Sequence, residues 1–227
     1  METKKVFFVR QETAMRRFRY TRARLLNPRS TLGGKIFALI TGLLVAFSTW
    51  ADVSDCENLV QNKNWSGAFS VCKKAADAGD PEAKSYLAEM YGYGKGVAQD
   101  LNKALKLFES AGLDGVGSAQ VALGNAYYYG RDVVLQDFHE AAKWYKKAAR
   151  NGIAWAQYMT GTLYGEGKGV EKDDVKSYMW LNIASANGYE GAAMLRDLVA
   201  ISMHSDDIET AQRQAKRCLE TQYKHCD

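Results

Sequence analysis

The sequence predicts an all-α fold, an α/α superhelical solenoid of helix-turn-helix units about 36 residues long. Three observations carry that prediction. Ten positions recur three times at a spacing of 36 or 37 residues. Within each unit the apolar residues fall at three-and-four spacing in two runs, which is the period of one helix face and not of a strand. Glycine recurs where each run ends, as a left-handed residue closing a helix requires.

Residues 1–51 come first. Ten Lys and Arg stand among residues 1–35 against two acids, Glu2 and Glu12. An apolar run, Ile36 to Phe47, and the exit Ser48-Thr49-Trp50-Ala51 follow. A basic start, a short apolar run and small residues at Thr49 and Ala51 predict a secretory signal peptide cleaved after Ala51. The run is shorter than the roughly 20 residues of a spanning helix, so membrane attachment is expected only through an uncleaved signal. Met15 is an alternative start, and an Arg-rich, acid-poor leader also fits a mitochondrial presequence. Removing the leader takes ten bases and two acids from totals of 30 and 26, leaving 20 and 24. The remainder is net acidic, which argues against a nucleic-acid partner.

Residues 52–79 form a degenerate half repeat marked by Trp65, Ala68, Cys72, Ala75 and Gly79. Repeat 1, residues 80–115, carries Ala83, Leu87, Tyr91, Gly94, Val97, Asp100, Ala104, Phe108, Ala111 and Gly115. Asp80-Pro81 opens it with a cap and a proline that needs no donor at the first helical position. Repeat 2, residues 116–152, has Ala119, Leu123, Tyr127, Gly130, Val133, Asp137, Ala141, Tyr145, Ala148 and Gly152 at the same positions. Its extra residue falls in the loop at 133–137, where insertion costs least. Repeat 3, residues 153–188, has Ala156, Thr160, Tyr164, Gly167, Val170, Asp173, Ser177, Leu181, Ala184 and Gly188. Asp100, Asp137 and Asp173 are predicted to cap the second helices. Tyr91, Tyr127, Tyr164 and Tyr145 are predicted to be core. Residues 189–227 begin a further half repeat at Ala192 and Leu195. A helix introduced by Ser205-Asp206-Asp207-Ile208-Glu209 and running from Ala211 through Tyr223 is expected to close the stack.

The pattern resembles the Sel-1-like repeat family, relatives of tetratricopeptide repeats. Leu123-Gly124, Gly167-Lys168-Gly169-Val170 and Trp144-Tyr145-Lys146-Lys147-Ala148-Ala149 carry the resemblance, which covers about residues 65–195. Ala88, Asp132 and Thr160 depart from it. The resemblance implies an interaction protein, with roles such as scaffolding envelope complexes, regulating a membrane sensor or serving a secretion apparatus.

Cys56, Cys72, Cys218 and Cys226 form an even set in an exported chain, which points to disulfides. Of three possible connectivities, the local pairs Cys56–Cys72 and Cys218–Cys226 are preferred, since each pins one end of the solenoid. Ser70-Val71-Cys72-Lys73 fits the Ser-x-x-Lys pattern of penicillin-recognising enzymes, but no Ser-Asp-Asn or Lys-Thr-Gly element accompanies it. Cys218, His225 and Cys226 fall short of a zinc set. No catalytic residue, cofactor or metal is predicted.

A second stripe on the first helices reads Ser85, Glu89, Tyr93, then Val121, Asn125, Tyr129, then Tyr158, Thr162, Glu166. Variable polar and aromatic residues at fixed repeat positions are what an inner, ligand-holding face shows. Glu89, Tyr93, Asn125, Tyr129, Tyr158 and Thr162 are therefore the candidate partner-binding residues. The alternative is a plain solvated surface. The expectation is a periplasmic or secreted adaptor that binds another protein on its concave face. A penicillin-binding or β-lactamase-like hydrolase is the rival.

Overall fold

A computed structural model describes residues 53–130 and 133–226. The leader, its cleavage site at Ala51 and the departure at Asp132 lie outside the described residues. The described chain is helical without strands: residues 53–61 (α1), Trp65–Asp77 (α2), Pro81–Tyr93 (α3), Leu101–Leu113 (α4), Gly117–Tyr129 (α5), Phe138–Arg150 (α6), Ala154–Glu166 (α7), Asp174–Ala186 (α8), Ala192–Ala200 (α9) and Ser205–Glu220 (α10). From α2 to α9 each helix packs on the next in sequence, and α10 folds back onto α8. This is an α/α solenoid.

The helix ends follow from single residues. Asp100 and Asp173 accept the backbone N–H of Lys103 and Lys176 at 3.0 and 2.8 Å, and Asp137 accepts His139 and Glu140 at 2.9 and 3.1 Å. Asp80 caps α3 through Ala83 at 2.8 Å. After α4, the N–H of Val116 returns to the carbonyl of Ala111 at 2.9 Å, across Gly115 at φ 96°. That closure removes an orphan carbonyl and turns the chain straight into α5.

Small residues let the helices approach. Ala83, Ala119, Ala156 and Ala192 are fully buried on successive first helices, as are Ala111, Ala148 and Ala184 on the second ones. Gly124 leaves room for Tyr145, whose ring carbon would lie 2.6 Å from an added Cβ. The glycine after each turn lysine has a sharper duty. A Cβ on Gly169 would sit 2.0 Å from the carbonyl oxygen of Phe138, and one on Gly96 2.3 Å from that of Trp65. The turn of one unit thus rests on the backbone opening the second helix of the unit before it.

A polar clamp repeats alongside the apolar core. Gln157 on α7 is fully buried; its amide donates to the carbonyl of Ala149 at 3.1 Å, and its oxygen accepts Asn187, which follows α8, at 2.7 Å. One unit earlier, Gln120 donates to Gly112 at 2.9 Å and accepts Asn151 at 2.9 Å. In the first unit Lys84 and Asp114 hold the same places as an ion pair at 3.0 Å. Each clamp fastens a first helix to the end of its own second helix.

Cys56 is bonded to Cys72, and Cys218 to Cys226, all of them buried. The first bridge ties α1 to α2; the second closes the turn after α10. Three expectations need correcting. Tyr91, Tyr127 and Tyr164 are only half-buried, while Tyr145 is fully buried. Lys103 lies 5.2 Å above the Tyr91 ring and Lys176 5.4 Å above that of Tyr164, so Tyr91 and Tyr164 carry lysine stems on the rim of the core. Ser85 is buried and shares a hydrogen bond with Ser118 at 3.1 Å; it belongs to the packing of α3 on α5. The closing helix runs from Ser205 to Glu220 and ends before Tyr223. Gln222 and Tyr223 take positive φ, 50° and 65°, which turns the chain back so that Cys226 reaches Cys218.

Candidate functional site

The stripe residues fall into two groups. The first surrounds Lys95, in the turn after α3. Its ammonium lies 4.6 Å from the Trp65 ring centroid and 4.8 Å from that of Tyr93. Tyr93 is 71% exposed. Glu89, one turn back on α3, is half-buried. Burial pushes its carboxyl above the usual range, and the charge of Lys95 works against that shift.

The second group spans α5, α6, α7 and the turn after α8. Tyr145 donates its hydroxyl to Asn125 Oδ1 at 2.6 Å, and burial holds that hydroxyl far above the ordinary range. Tyr128 meets the Tyr145 ring edge-on at 6.4 Å and the Tyr129 ring at 5.0 Å. Tyr129 is 48% exposed. Tyr158 stacks on Trp155 at 5.8 Å and packs at 4.7 Å on Tyr189, which in turn lies 5.6 Å from Trp155. Burial raises the pKa of Tyr189, and the charges of Tyr158 and Tyr129 raise it further. Thr162 donates its hydroxyl to the carbonyl of Tyr158 at 3.0 Å, spending it on its own helix. Glu166 pairs with Lys168 at 2.9 Å.

The structure therefore links Asn125 and Tyr129 through Tyr145 and Tyr128, sets Tyr158 with Trp155 and Tyr189, places Glu89 and Tyr93 in a separate group around Lys95, and leaves Thr162 a structural hydroxyl. Sequence reasoning missed Trp155 and Tyr189. Trp155 stands three residues before Tyr158, on the same face of α7, and that spacing was the available signal. Tyr189 follows a helix-ending glycine, where no helical period predicts a contact.

What this surface can do is bind. Its rings are rigid, half-exposed and mutually packed, so a ligand would cover apolar area at little cost in side-chain order. The chemistry elsewhere is weaker. Ser70 donates to the carbonyl of Gly67 at 3.1 Å, and Lys73 pairs with Asp77. The hydrogen bond it donates to Asp77 holds the Lys73 ammonium above its usual pKa, the opposite of what a general base needs. His139 Nδ1 lies 3.2 Å from the carbonyl of Gly169. Among the described residues no group of three His, Cys, Asp or Glu is placed to hold a metal, and no helix is long and apolar enough to cross a membrane.

The Sel1 repeat family matches residues 81–116, 117–153 and 156–189. Among solved structures, a Sel1 repeat protein from Oxalobacter formigenes is 36% identical, over 56% of this chain and 94% of that one, with a TM-score of 0.53. The protein c5321, a protective antigen of uropathogenic Escherichia coli with an SLR fold, is 30% identical over 77% of this chain and 38% of its own, with a TM-score of 0.63. No curated protein matches the chain.

Proposed function

Because the chain belongs to the Sel1 repeat family, we propose that it is an exported adaptor or regulator of the cell envelope, binding a partner protein along the concave face of its solenoid. Sel1 repeat solenoids generally mediate protein–protein interaction, and the finer reading rests on one observation. The rings of Trp155, Tyr158 and Tyr189 pack into a half-exposed aromatic surface that the core does not consume, and Tyr129, packed on Tyr128, stands 48% exposed on the same stripe. Aromatic anchors that a partner can cover completely dominate binding energies. Two disulfides support an oxidising compartment. The likeness to an antigen of a pathogenic strain is in keeping with a place outside the cytoplasm.

Binding would lay a partner segment across α5 and α7, with Tyr129 and Tyr158 as anchors and Tyr93 engaging it further along the stripe. Affinity capture from the native envelope tests this. One dominant protein is expected, and Tyr129→Ala with Tyr158→Ala should lower its recovery at least tenfold, since each anchor contributes about 1 to 3 kcal/mol. Tyr93→Ala with Tyr129→Ala should weaken capture as well. Recovery equal to wild type from both double variants would refute the reading.

A further inference from the structure

We propose that the partner segment is an amphipathic helix whose aliphatic end is received by Met194 and Leu198 on α9 and by Ile201, which caps its end. The proposal rests on the stripe being a protein-binding surface and names the chemistry it takes. α9 stands where the first helix of a fourth unit would stand. Ala192 is fully buried, like Ala83, Ala119 and Ala156, and α9 packs on α8 as α7 packs on α6. Counted from Ala192, Met194 and Leu198 occupy the places of Tyr158 and Thr162. They extend the stripe.

Among the described residues α10, which follows α9, packs on α8 and leaves the outer line of α9 exposed. Met194, Leu198 and Ile201 are 69, 57 and 82% exposed, and their spacing sets them in one line along the helix. The opposite side of α9 faces inward: Arg196 donates to Asn182 Oδ1 at 3.0 Å and lies 5.9 Å from the Tyr178 ring.

Size and geometry choose the occupant. Three aliphatic side chains offer on the order of 400 Å², a patch that marks a functional surface on a monomer. A stable dimer needs about 800 Å² from each partner, so α9 alone is too small to hold a second copy. A single ligand crossing α9 and the aromatic surface that ends at Tyr189 would cover more than α9 offers alone. The described residues present no strand edge, so strand addition has no template. A line of residues four and three apart on a helix is complementary to the apolar face of another helix. Residues 52–227 carry 24 acids against 20 bases, which favours a ligand with a basic polar face.

The probe is a fluorescent Leu/Lys amphipathic peptide of about five helical turns, read by anisotropy against a scrambled peptide of the same composition. Wild type should bind the amphipathic peptide more tightly than the scrambled one. Met194→Glu with Leu198→Glu should weaken that binding roughly tenfold or more. Equal binding of both peptides overturns the proposal, as does a dimer in light scattering that the α9 substitutions dissociate. Loss in Tyr129→Ala with Tyr158→Ala but not in the α9 variant overturns the α9 assignment alone. The reverse pattern upholds α9 and overturns the aromatic stripe.

Discussion

Cutting the polar clamp in its two chemical forms should give two different energies. In the third unit Gln157 and Asn187 are joined by a neutral hydrogen bond of 2.7 Å around a fully buried amide. In the first unit Lys84 and Asp114 make the equivalent link as a part-exposed ion pair at 3.0 Å. Asn187→Ala leaves the Gln157 oxygen buried without its partner and also removes a bond to Tyr223 at 2.9 Å. An unsatisfied buried polar group costs about 1 to 3 kcal/mol. For a chain of this size that lowers Tm by roughly 2 to 4 °C per kcal/mol. A double-mutant cycle over Gln157→Leu and Asn187→Ala should give a coupling of about 1 kcal/mol or more that salt does not change. The cycle over Lys84→Ala and Asp114→Ala should give about 0.2 to 1 kcal/mol, falling as salt screens the charges. Urea unfolding at low and high salt reads both. A coupling near zero at the buried pair, or one as salt-sensitive as the ion pair, would refute the reasoning.

Four further outcomes follow from the same geometry. Ser177 is buried, its hydroxyl lacks a partner, and the other units carry Ala104 and Ala141 there; Ser177→Ala should raise the urea midpoint by about 1 kcal/mol of stability, and a loss would contradict it. Gly169→Ala drives a Cβ to 2.0 Å from the Phe138 carbonyl oxygen, while Gly188→Ala meets nothing within 4 Å; calorimetry should show the second costing about 1 kcal/mol for its positive φ and the first clearly more. Non-reducing peptide mapping should recover Cys56–Cys72 and Cys218–Cys226, and opening the first, which spans 16 residues, should cost about 3 kcal/mol. Glu89 has a raised carboxyl pKa from burial, so its contribution is full below the unfolded value of about 4.3 and is lost as pH rises through the folded pKa; Glu89→Gln should flatten the stability–pH curve in that window, and an unchanged curve would count against it.

The repeat was legible because its punctuation is chemical. Asp100, Asp137 and Asp173 cap helices, and the glycines after each helix allow a left-handed turn; both duties depend on a few neighbouring atoms. The fully buried alanines show in the period for the same reason. Gln120 and Gln157 were not legible as core, because a polar residue at a helical position is ordinarily solvated; only the carbonyl and Asn side chain facing it make burial favourable. Ser85 was assigned to the open stripe by register, yet α5 brings Ser118 against it. Tyr189 joins Tyr158 through a contact from outside its helix, which no single helix period encodes, whereas Trp155 was within reach of the period of α7. The apolar line on α9 went unread because whether a second helix covers it depends on where α10 packs.

The most direct test of the account is hydrogen exchange on the protein with and without its captured partner. Protection is predicted at residues 125–129, 155–158 and 189–201, the aromatic surface and its continuation on α9. Protection confined to the loop at 133–137 or to α10, with those three segments unchanged, would contradict it.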